Sequence, residues 1–189
     1  ILAGSDLFPP EALIPSEHHL DMASAQVVRP RAILEAWCPS PVHGEVRTLE
    51  PRDGDWVLHH EGGGETLVDQ VILATAMDTT GLVRDLALRG VRGQASWIGS
   101  DQPVEAVAWG GYLIPTGQGF LFGATHDRDD AGTEVRTEDH ERNLATLGEV
   151  RPDLAADLSV ADLQGRAAIR ATISGFRTPA GSNPRRSEP

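Results

Sequence analysis

The spacing of apolar residues predicts two kinds of β structure in the first half of the chain. Short runs bounded by glycine, over residues 42–69, predict a three-stranded meander with turns near Asp53-Gly54-Asp55 and Gly62-Gly63-Gly64. The run 68–76 is almost continuously apolar, which is typical of a strand covered on both faces in a parallel sheet. It ends in small residues, which allow another backbone to approach closely.

Beyond residue 88 the predicted strands become shorter, and glycine-rich turns separate them. They lie at residues 93–98, 104–109, 112–115 and 120–125, which indicates an antiparallel sheet. Helices are predicted at residues 79–88, 137–150 and 153–163. The fold class is therefore mixed α/β (α+β), with the meander and the antiparallel sheet in separate regions.

The first 22 residues are rich in proline and predict loops. Residues 26–29 predict a short strand. Pro30 suits the first turn of a helix, and residues 32–37 continue that helix.

The chemistry centres on residues 165–181, which predict a strand that enters a loop. Ala168, Arg170 and Thr172 would share one face of that strand. An arginine in the middle of a buried strand needs a partner, because burying its charge is costly. Two interpretations remain open from these residues: an internal ion pair with an acid, or a guanidinium that binds the carboxylate of a substrate through two bonds.

Composition narrows the function. The chain of 189 residues carries 28 acids and 16 basic residues, none of them lysine, for a formal charge of −12. The charge argues against a general nucleic-acid surface, and the absence of lysine excludes Schiff-base chemistry. The single Cys38 excludes an internal disulfide and favours a reducing, cytoplasmic location. No apolar run approaches the length of a membrane span.

Residues 127–138 have the spacing of a calcium-binding loop in part. Ala131 occupies a position that needs a ligating side chain, and a strand precedes the loop where a helix would be required. We therefore expect an acidic loop and predict no metal site.

Three motifs carry a resemblance over residues 27–181. They are Gly165-Arg166-x-x-x-Arg170-Ala171-Thr172 with Gly181 eleven positions after Arg170, Val91-Arg92-Gly93-Gln94, and residues 123–130, Gly-Ala-Thr-His-Asp-Arg-Asp-Asp. The chain resembles the D-amino-acid-oxidase-like FAD-dependent oxidoreductases, in particular the oxidoreductase domain of the bifunctional tRNA 5-methylaminomethyl-2-thiouridine biosynthesis proteins. The resemblance implies a partial FAD-binding domain with the meander (1–88), an antiparallel substrate domain (89–164) and a return strand and loop (165–189).

The resemblance also implies the ligands and their residues. Arg170 would bind the substrate carboxylate, and no acid–base catalyst is required. The cofactor would be FAD, and eight residues would lie near it: Val46, Ala74, Thr75, Ala76, Arg92, Gly93, Gln94 and Gly181. The dinucleotide fingerprint Gly-x-Gly-x-x-Gly occurs nowhere in the sequence. We therefore expect the chain alone to lack the N-terminal dinucleotide-binding unit, to bind FAD weakly and to be inactive.

The implied reaction oxidises the C–N bond of a carboxymethylaminomethyl group on a tRNA wobble uridine and removes the carboxymethyl group. Because the chain is acidic, another domain would hold the tRNA. Two alternatives stay open: an oxidase of free amines of the glycine or sarcosine oxidase type, and a non-catalytic module that folds or binds without turnover.

Overall fold

The computed structural model describes residues 13–15, 20–22, 25–38 and 40–173. The chain divides into two compact units, Ile1–Pro41 and Val42–Pro189. The predicted three-part division at residues 88 and 164 stays a prediction.

In the first unit two strands, β1 (Leu13–Pro15) and β2 (Leu20–Met22), form an antiparallel pair where we expected loops and no strand. The helix α1 spans Pro30–Trp37, as predicted, and has its proline in the first turn. Residues 26–29 are not a strand, contrary to the sequence prediction. Among the residues described, no strand pairs with them, and an extended segment without a partner forms no ladder.

The meander of the second unit is confirmed. Strands β3 (Val46–Arg52), β4 (Asp55–His60) and β5 (Gly64–Val68) pair antiparallel in chain order. Between β3 and β4, Asp53 and Gly54 have φ angles of 52° and 96°. This is the left-handed conformation of both central residues that tight hairpins prefer, and it explains why an Asp-Gly pair occurs there.

The predicted strand over residues 68–76 is wrong in this structure. Strand β5 ends at Val68, residues 69–75 adopt no regular structure, and the side chain of Ile72 is 91% exposed. A parallel strand is stable only when neighbours pair with its backbone and cover its faces. Within the described ranges no strand lies beside residues 71–75, so their apolar sequence alone cannot hold them in a sheet.

The helix predicted at residues 79–88 is shorter than expected. A 3₁₀ helix (Ala76–Asp78) leads into α2 (Thr79–Leu82), and the strand β6 already begins at Leu88. Gly81 lies within α2. Glycine is a poor helix former, and Leu88, the last residue of the predicted helix, is already paired with Ile173 of another strand.

The main sheet has six strands, all paired antiparallel, as predicted for the region beyond residue 88. Its strands are β6 (Leu88–Gly99), β7 (Val107–Ala108), β8 (Tyr112–Thr116), β9 (Gly119–Gly123), β10 (Asp127–Arg128) and β11 (Gln164–Ile173). The central strand β6 pairs with β11 along one side and with β9 and β10 along the other. The strand β7 is only two residues long, although we expected a strand over 104–109.

Helices cover one face of this sheet. The helix α3 spans Thr137–Val150, as predicted, and α4 spans Pro152–Ala156. The helix expected at 153–163 is interrupted, because Ser159 accepts a hydrogen bond from the backbone of Ala161 and starts a separate 3₁₀ helix (Val160–Asp162). The buried core joins sheet and helices through Leu113, Phe120, Phe122, Leu147 and Leu154. In the part of the chain that the structure describes, no helix is long and apolar enough to cross a membrane.

Candidate functional site

The two faces of strand β6 differ in what covers them. Side chains alternate along a strand, so Arg92, Gln94 and Ser96 point to one face and Gly93 points to the other. The first three are fully buried, with 0% of each residue exposed, and they contact α3 and the segment before it. Gly93 is only partly buried. We call its side of the sheet the open face.

Arg92 is held on the covered face by groups of the protein itself. Its Nη1 contacts the carboxylate of Asp139, and its Nε donates to the carbonyl of Gly132 at 3.0 Å. Its Nη2 donates to the carbonyl of Glu134 at 2.7 Å and to Gln94 Oε1 at 3.2 Å. All three guanidinium nitrogens are therefore engaged, so the Arg92 side chain has no nitrogen left for a ligand.

Gln94 fixes the start of α3. Its Nε2 donates to the carbonyl of Arg136 at 2.7 Å, and its Oε1 accepts from the backbone N–H of Arg136 at 2.8 Å. Arg136 is the residue before α3 and has no capping side chain of its own. The side-chain amide of Gln94, on strand β6, thus binds backbone groups at the start of α3 that a capping side chain of the helix itself usually binds.

A buried histidine completes this polar interface. His140 Nδ1 lies 2.8 Å from Ser96 Oγ, and Asn143 Nδ2 donates to the same hydroxyl at 2.9 Å. Burial lowers the pKa of His140, and the nearby Asp139 carboxylate opposes that shift. Because the site is enclosed, we assign this Ser–His contact to packing.

The acids of the loop after β9 are paired with arginines. Asp127 accepts from Arg142 at 2.9 Å, Asp129 pairs with Arg89, and Asp130 pairs with Arg136. Hydrogen bonds from these arginines lower the pKa values of all three acids. Among the residues described, no group of three histidines, cysteines or acids could hold a metal ion.

Arg170 has a different environment, on the open face. It is exposed, and its Nη2 lies 3.0 Å from His126 Nδ1. Within the described residues no acid forms an ion pair with it, and both interpretations of Arg170 stay predictions. A Cβ added at Gly93 would lie 3.3 Å from Arg170 Nη2 and 2.9 Å from the carbonyl of Thr125. The absence of a side chain at Gly93 therefore lets the guanidinium lie against the sheet.

Tyr112 belongs to the same face, which sequence reasoning missed. It is opposite Gly123, which is opposite Ala95, and directly paired residues share a face. Burial raises the pKa of Tyr112, while the positive charge of Arg170 acts in the other direction. Tyr112 is the only tyrosine of the chain. Its place beside Arg170 depends on a strand register that the sequence does not show.

A cleft of about 780 Å³ lies between the meander and the segment that follows it. It is lined by Val46, Val71, Leu73, Thr75 and Met77, among others. Two of the residues that we predicted near FAD, Val46 and Thr75, therefore line one cleft. Ala74 and Ala76 flank Thr75 in the chain without lining the cleft.

The 3₁₀ helix Ala76–Asp78 lies beside this cleft and also contacts the main sheet. Met77 and Asp78 line the cleft, and the same helix contacts β6 and β11. Gly93 and Arg170 lie on the open face of those two strands. The side chains of Arg92 and Gln94 are turned to the opposite face, and Gly181 lies outside the described residues.

The cleft fits the apolar part of FAD better than its pyrophosphate. Its lining is dominated by aliphatic side chains, which suit a flat ring system. Of the helices that line it, the 3₁₀ helix has three residues and α2 has four, and the sequence contains no Gly-x-Gly-x-x-Gly loop for a phosphate. The residues that line the cleft therefore fit the ring systems of FAD but not its pyrophosphate.

Comparison with known proteins shows the family of the chain. The sequence profile of the family described as FAD dependent oxidoreductase matches residues 42–188. The tRNA 5-methylaminomethyl-2-thiouridine biosynthesis bifunctional protein MnmC of Caulobacter sp. (strain K31) is 45% identical over 87% of this chain. The protein of the same name from Caulobacter vibrioides (strain ATCC 19089 / CIP 103742 / CB 15) is 48% identical over 81% of it.

The chain spans only 28% and 26% of the lengths of these two relatives. Among solved structures, iminodiacetate oxidase from Chelativorans sp. BNC1 superposes with a TM-score of 0.56 at 19% identity. That match covers 72% of this chain and 39% of the oxidase, and it shows a shared fold.

Proposed function

Because the chain belongs to the family of FAD-dependent oxidoreductases, we propose that its open face binds a secondary amine whose C–N bond is oxidised. The proposed substrate is the carboxymethylaminomethyl group of a tRNA wobble uridine. The observation that carries the proposal is Arg170, an exposed guanidinium that lies over Gly93 and has no acid beside it among the described residues.

Arg170 would orient the substrate through its carboxylate. A guanidinium presents parallel N–H groups that match the two oxygens of a carboxylate, so one residue fixes both position and orientation. The backbone at Gly93 forms the floor beneath it. Tyr112, on the same face, would line the side of the binding site. None of these residues needs to exchange a proton with the substrate.

The cofactor contacts are part of the same proposal. Val46 and Ala74, Thr75 and Ala76 would lie along the dinucleotide, and the backbone of Arg92, Gly93 and Gln94 would lie beside the flavin ring, with Gly181 near it. When bound, FAD would accept a hydride from the carbon beside the nitrogen, after which water cleaves the C=N bond into glyoxylate and the aminomethyl base. The chain's residues would hold the carboxylate so that this carbon faces the ring.

Two features favour a nucleic-acid substrate over a free amino acid. The relatives with 45% and 48% identity are named for tRNA biosynthesis. In addition, Arg128 and Arg166 lie on the open face with Arg170, although the chain as a whole is acidic. Arg166 is four residues from Arg170, or roughly 13 Å along the strand. A free amino acid is too small to reach both, whereas a nucleotide with its phosphate is large enough.

The experiment compares substrates. A flavin-loaded polypeptide that contains this sequence is incubated with tRNA bearing 5-carboxymethylaminomethyl-2-thiouridine, with N-methylglycine and with glycine. We expect loss of the carboxymethyl group from the tRNA, detected by mass spectrometry of its nucleosides, together with glyoxylate. Faster oxidation of N-methylglycine or glycine than of the tRNA would support the free-amine alternative. No oxidation of any of the three would contradict the proposal.

A further inference from the structure

Within the described residues, the guanidinium of Arg170 forms one hydrogen bond, and its partner is His126. The backbone that carries His126 is fixed on both sides. Thr125 exchanges hydrogen bonds with the backbone of Gln94 at 3.1 and 2.9 Å, and Asp127 pairs with Arg92 in the ladder. His126 is therefore a defined point on the edge of the open face, even though its side chain is exposed.

The acids near His126 in the sequence are directed to other arginines. Asp127 binds Arg142 through both carboxylate oxygens at 2.9 Å, and Asp129 binds Arg89. Although the chain has 28 acids, the side chain that holds Arg170 is the imidazole of His126. A carboxylate at this position would hold the guanidinium as firmly and would also neutralise it.

We infer that His126 is a positioning residue, which holds Arg170 over Gly93 and leaves its positive charge uncompensated for the carboxylate of the substrate. The neutral ring accepts from Arg170 through Nδ1, which requires its own proton to be on Nε2. An acid in its place would compete with the substrate for the same guanidinium. This inference rests on the proposed function, since it concerns the same carboxylate.

Three substitutions separate the parts of this role. His126→Phe keeps a ring and removes the acceptor, His126→Asn keeps a neutral acceptor near the position of Nδ1, and His126→Asp supplies a charged acceptor. The assay uses N-methylglycine with the flavin-loaded polypeptide, and all variants are measured at the same pH. Arg170→Ala is measured in parallel, and thermal unfolding is recorded for every variant.

For His126→Phe we expect KM to rise about five-fold, because the guanidinium loses one neutral hydrogen bond that orients it. His126→Asn should restore KM to within about two-fold of the parent. For His126→Asp we expect a rise of at least about ten-fold, because its negative charge repels the substrate carboxylate. The value of kcat should change less than about two-fold in all three, since the substrate carboxylate restores the position of Arg170 once it is bound.

The outcomes are distinguishable. If Arg170→Ala raises KM while His126→Phe and His126→Asp leave it unchanged, the role of His126 is overturned and the proposed function stands. If His126→Asp binds the substrate as well as the parent does, the argument from uncompensated charge fails. If Arg170→Ala itself leaves KM unchanged, the proposed function fails first.

Discussion

Arg92 and Arg170 extend from neighbouring strands of one sheet in opposite directions, and their surroundings differ in almost every respect. Arg92 is fully buried, pairs with Asp139 and uses all three nitrogens. Arg170 is exposed and contacts one imidazole nitrogen. The comparison teaches that an arginine in a strand motif indicates a ligand site only when the protein leaves its bonding capacity unused.

The two faces of the sheet show the same contrast on a larger scale. On the covered face, Gln94, Ser96, His140 and Asn143 form a polar network in which each side chain has a partner. Such a network holds α3 in one position against β6. On the open face, Gly93 has no side chain to fill the space above the sheet, and the exposed arginines carry positive charge. The covered face therefore supplies the rigidity on which a site at the open face depends.

The largest expected effect concerns the covered face. Asp139→Ala removes the carboxylate that pairs with Arg92 and leaves a buried charge unpaired, so we expect the free energy of unfolding to fall by about 3–5 kcal/mol. Urea denaturation measures this. The control is Asp129→Asn, which removes the charge of the exposed pair with Arg89, tolerates the φ angle of 62° at this position and should change stability little. Equal losses in the two variants would contradict the distinction between the faces.

Arg170→Ala, unlike Asp139→Ala, should reduce kcat/KM and leave the stability of the fold unchanged. Loss of a charge-assisted contact is worth roughly 1.5–3 kcal/mol, so kcat/KM should fall at least about ten-fold. Arg170→Lys should recover little, because an ammonium cannot form the paired contact. Arg166→Ala, on the same face of β11, is the control: it should leave turnover of N-methylglycine unchanged and weaken only the reaction with tRNA. A melting temperature that falls together with activity in Arg170→Ala would indicate a structural role.

Gly93→Ala tests whether the position of Arg170 depends on the absence of a side chain at Gly93. The added methyl group would lie 2.9 Å from the carbonyl of Thr125 and 3.3 Å from Arg170 Nη2. Either the backbone or the guanidinium must move, at a cost of about 1 kcal/mol or more, so KM should rise about five-fold. At Gly62 an added Cβ meets nothing within 4 Å, so Gly62→Ala serves as the control. Equal kinetics for the two variants would show that Arg170 does not depend on the space above Gly93.

The smallest expected effect is on the pH dependence of stability. Burial lowers the pKa of His140 below its ordinary value of 6.5, so the folded state favours the neutral ring. As the pH falls below 6.5, the unfolded chain binds the proton first, and stability decreases until the folded pKa is reached. His140→Gln should flatten the melting temperature over this range, whereas His43→Gln, at an exposed position, should not. A slope that persists in His140→Gln would assign the effect to another group.

Local patterns predicted much of the fold. The meander with its Asp53-Gly54 turn, the antiparallel sheet beyond residue 88 and the full span of α3 follow from turn residues and apolar periodicity. The strand over 68–76 could not be predicted correctly, because an apolar run becomes a strand only where another strand pairs with it. Sequence pattern does not reveal whether such a neighbour is present.

The candidate site was predictable only in part. The sequence motifs singled out Arg170 and Gly93, and the structure brings these two residues together, while their roles stay a prediction. Alternation along β6 implies that Arg92 and Gln94 point away from Gly93, but the sequence does not show which face the helices cover. His126 is 44 residues from Arg170 in the chain and Tyr112 lies on another strand, so both depend on register between distant segments.

The apolar run after the meander, residues 71–75, is only partly covered, and this affects the chain before folding is complete. Residues 71–75 carry no charge, proline or glycine, and Ile72 is 91% exposed. Short segments of this composition can stack with copies of themselves into cross-β sheets when nothing covers them. These residues can therefore aggregate from the time they are synthesised until other residues bury them. The yield of active enzyme in a cell would depend on how quickly they are buried, as well as on how stable the folded core is.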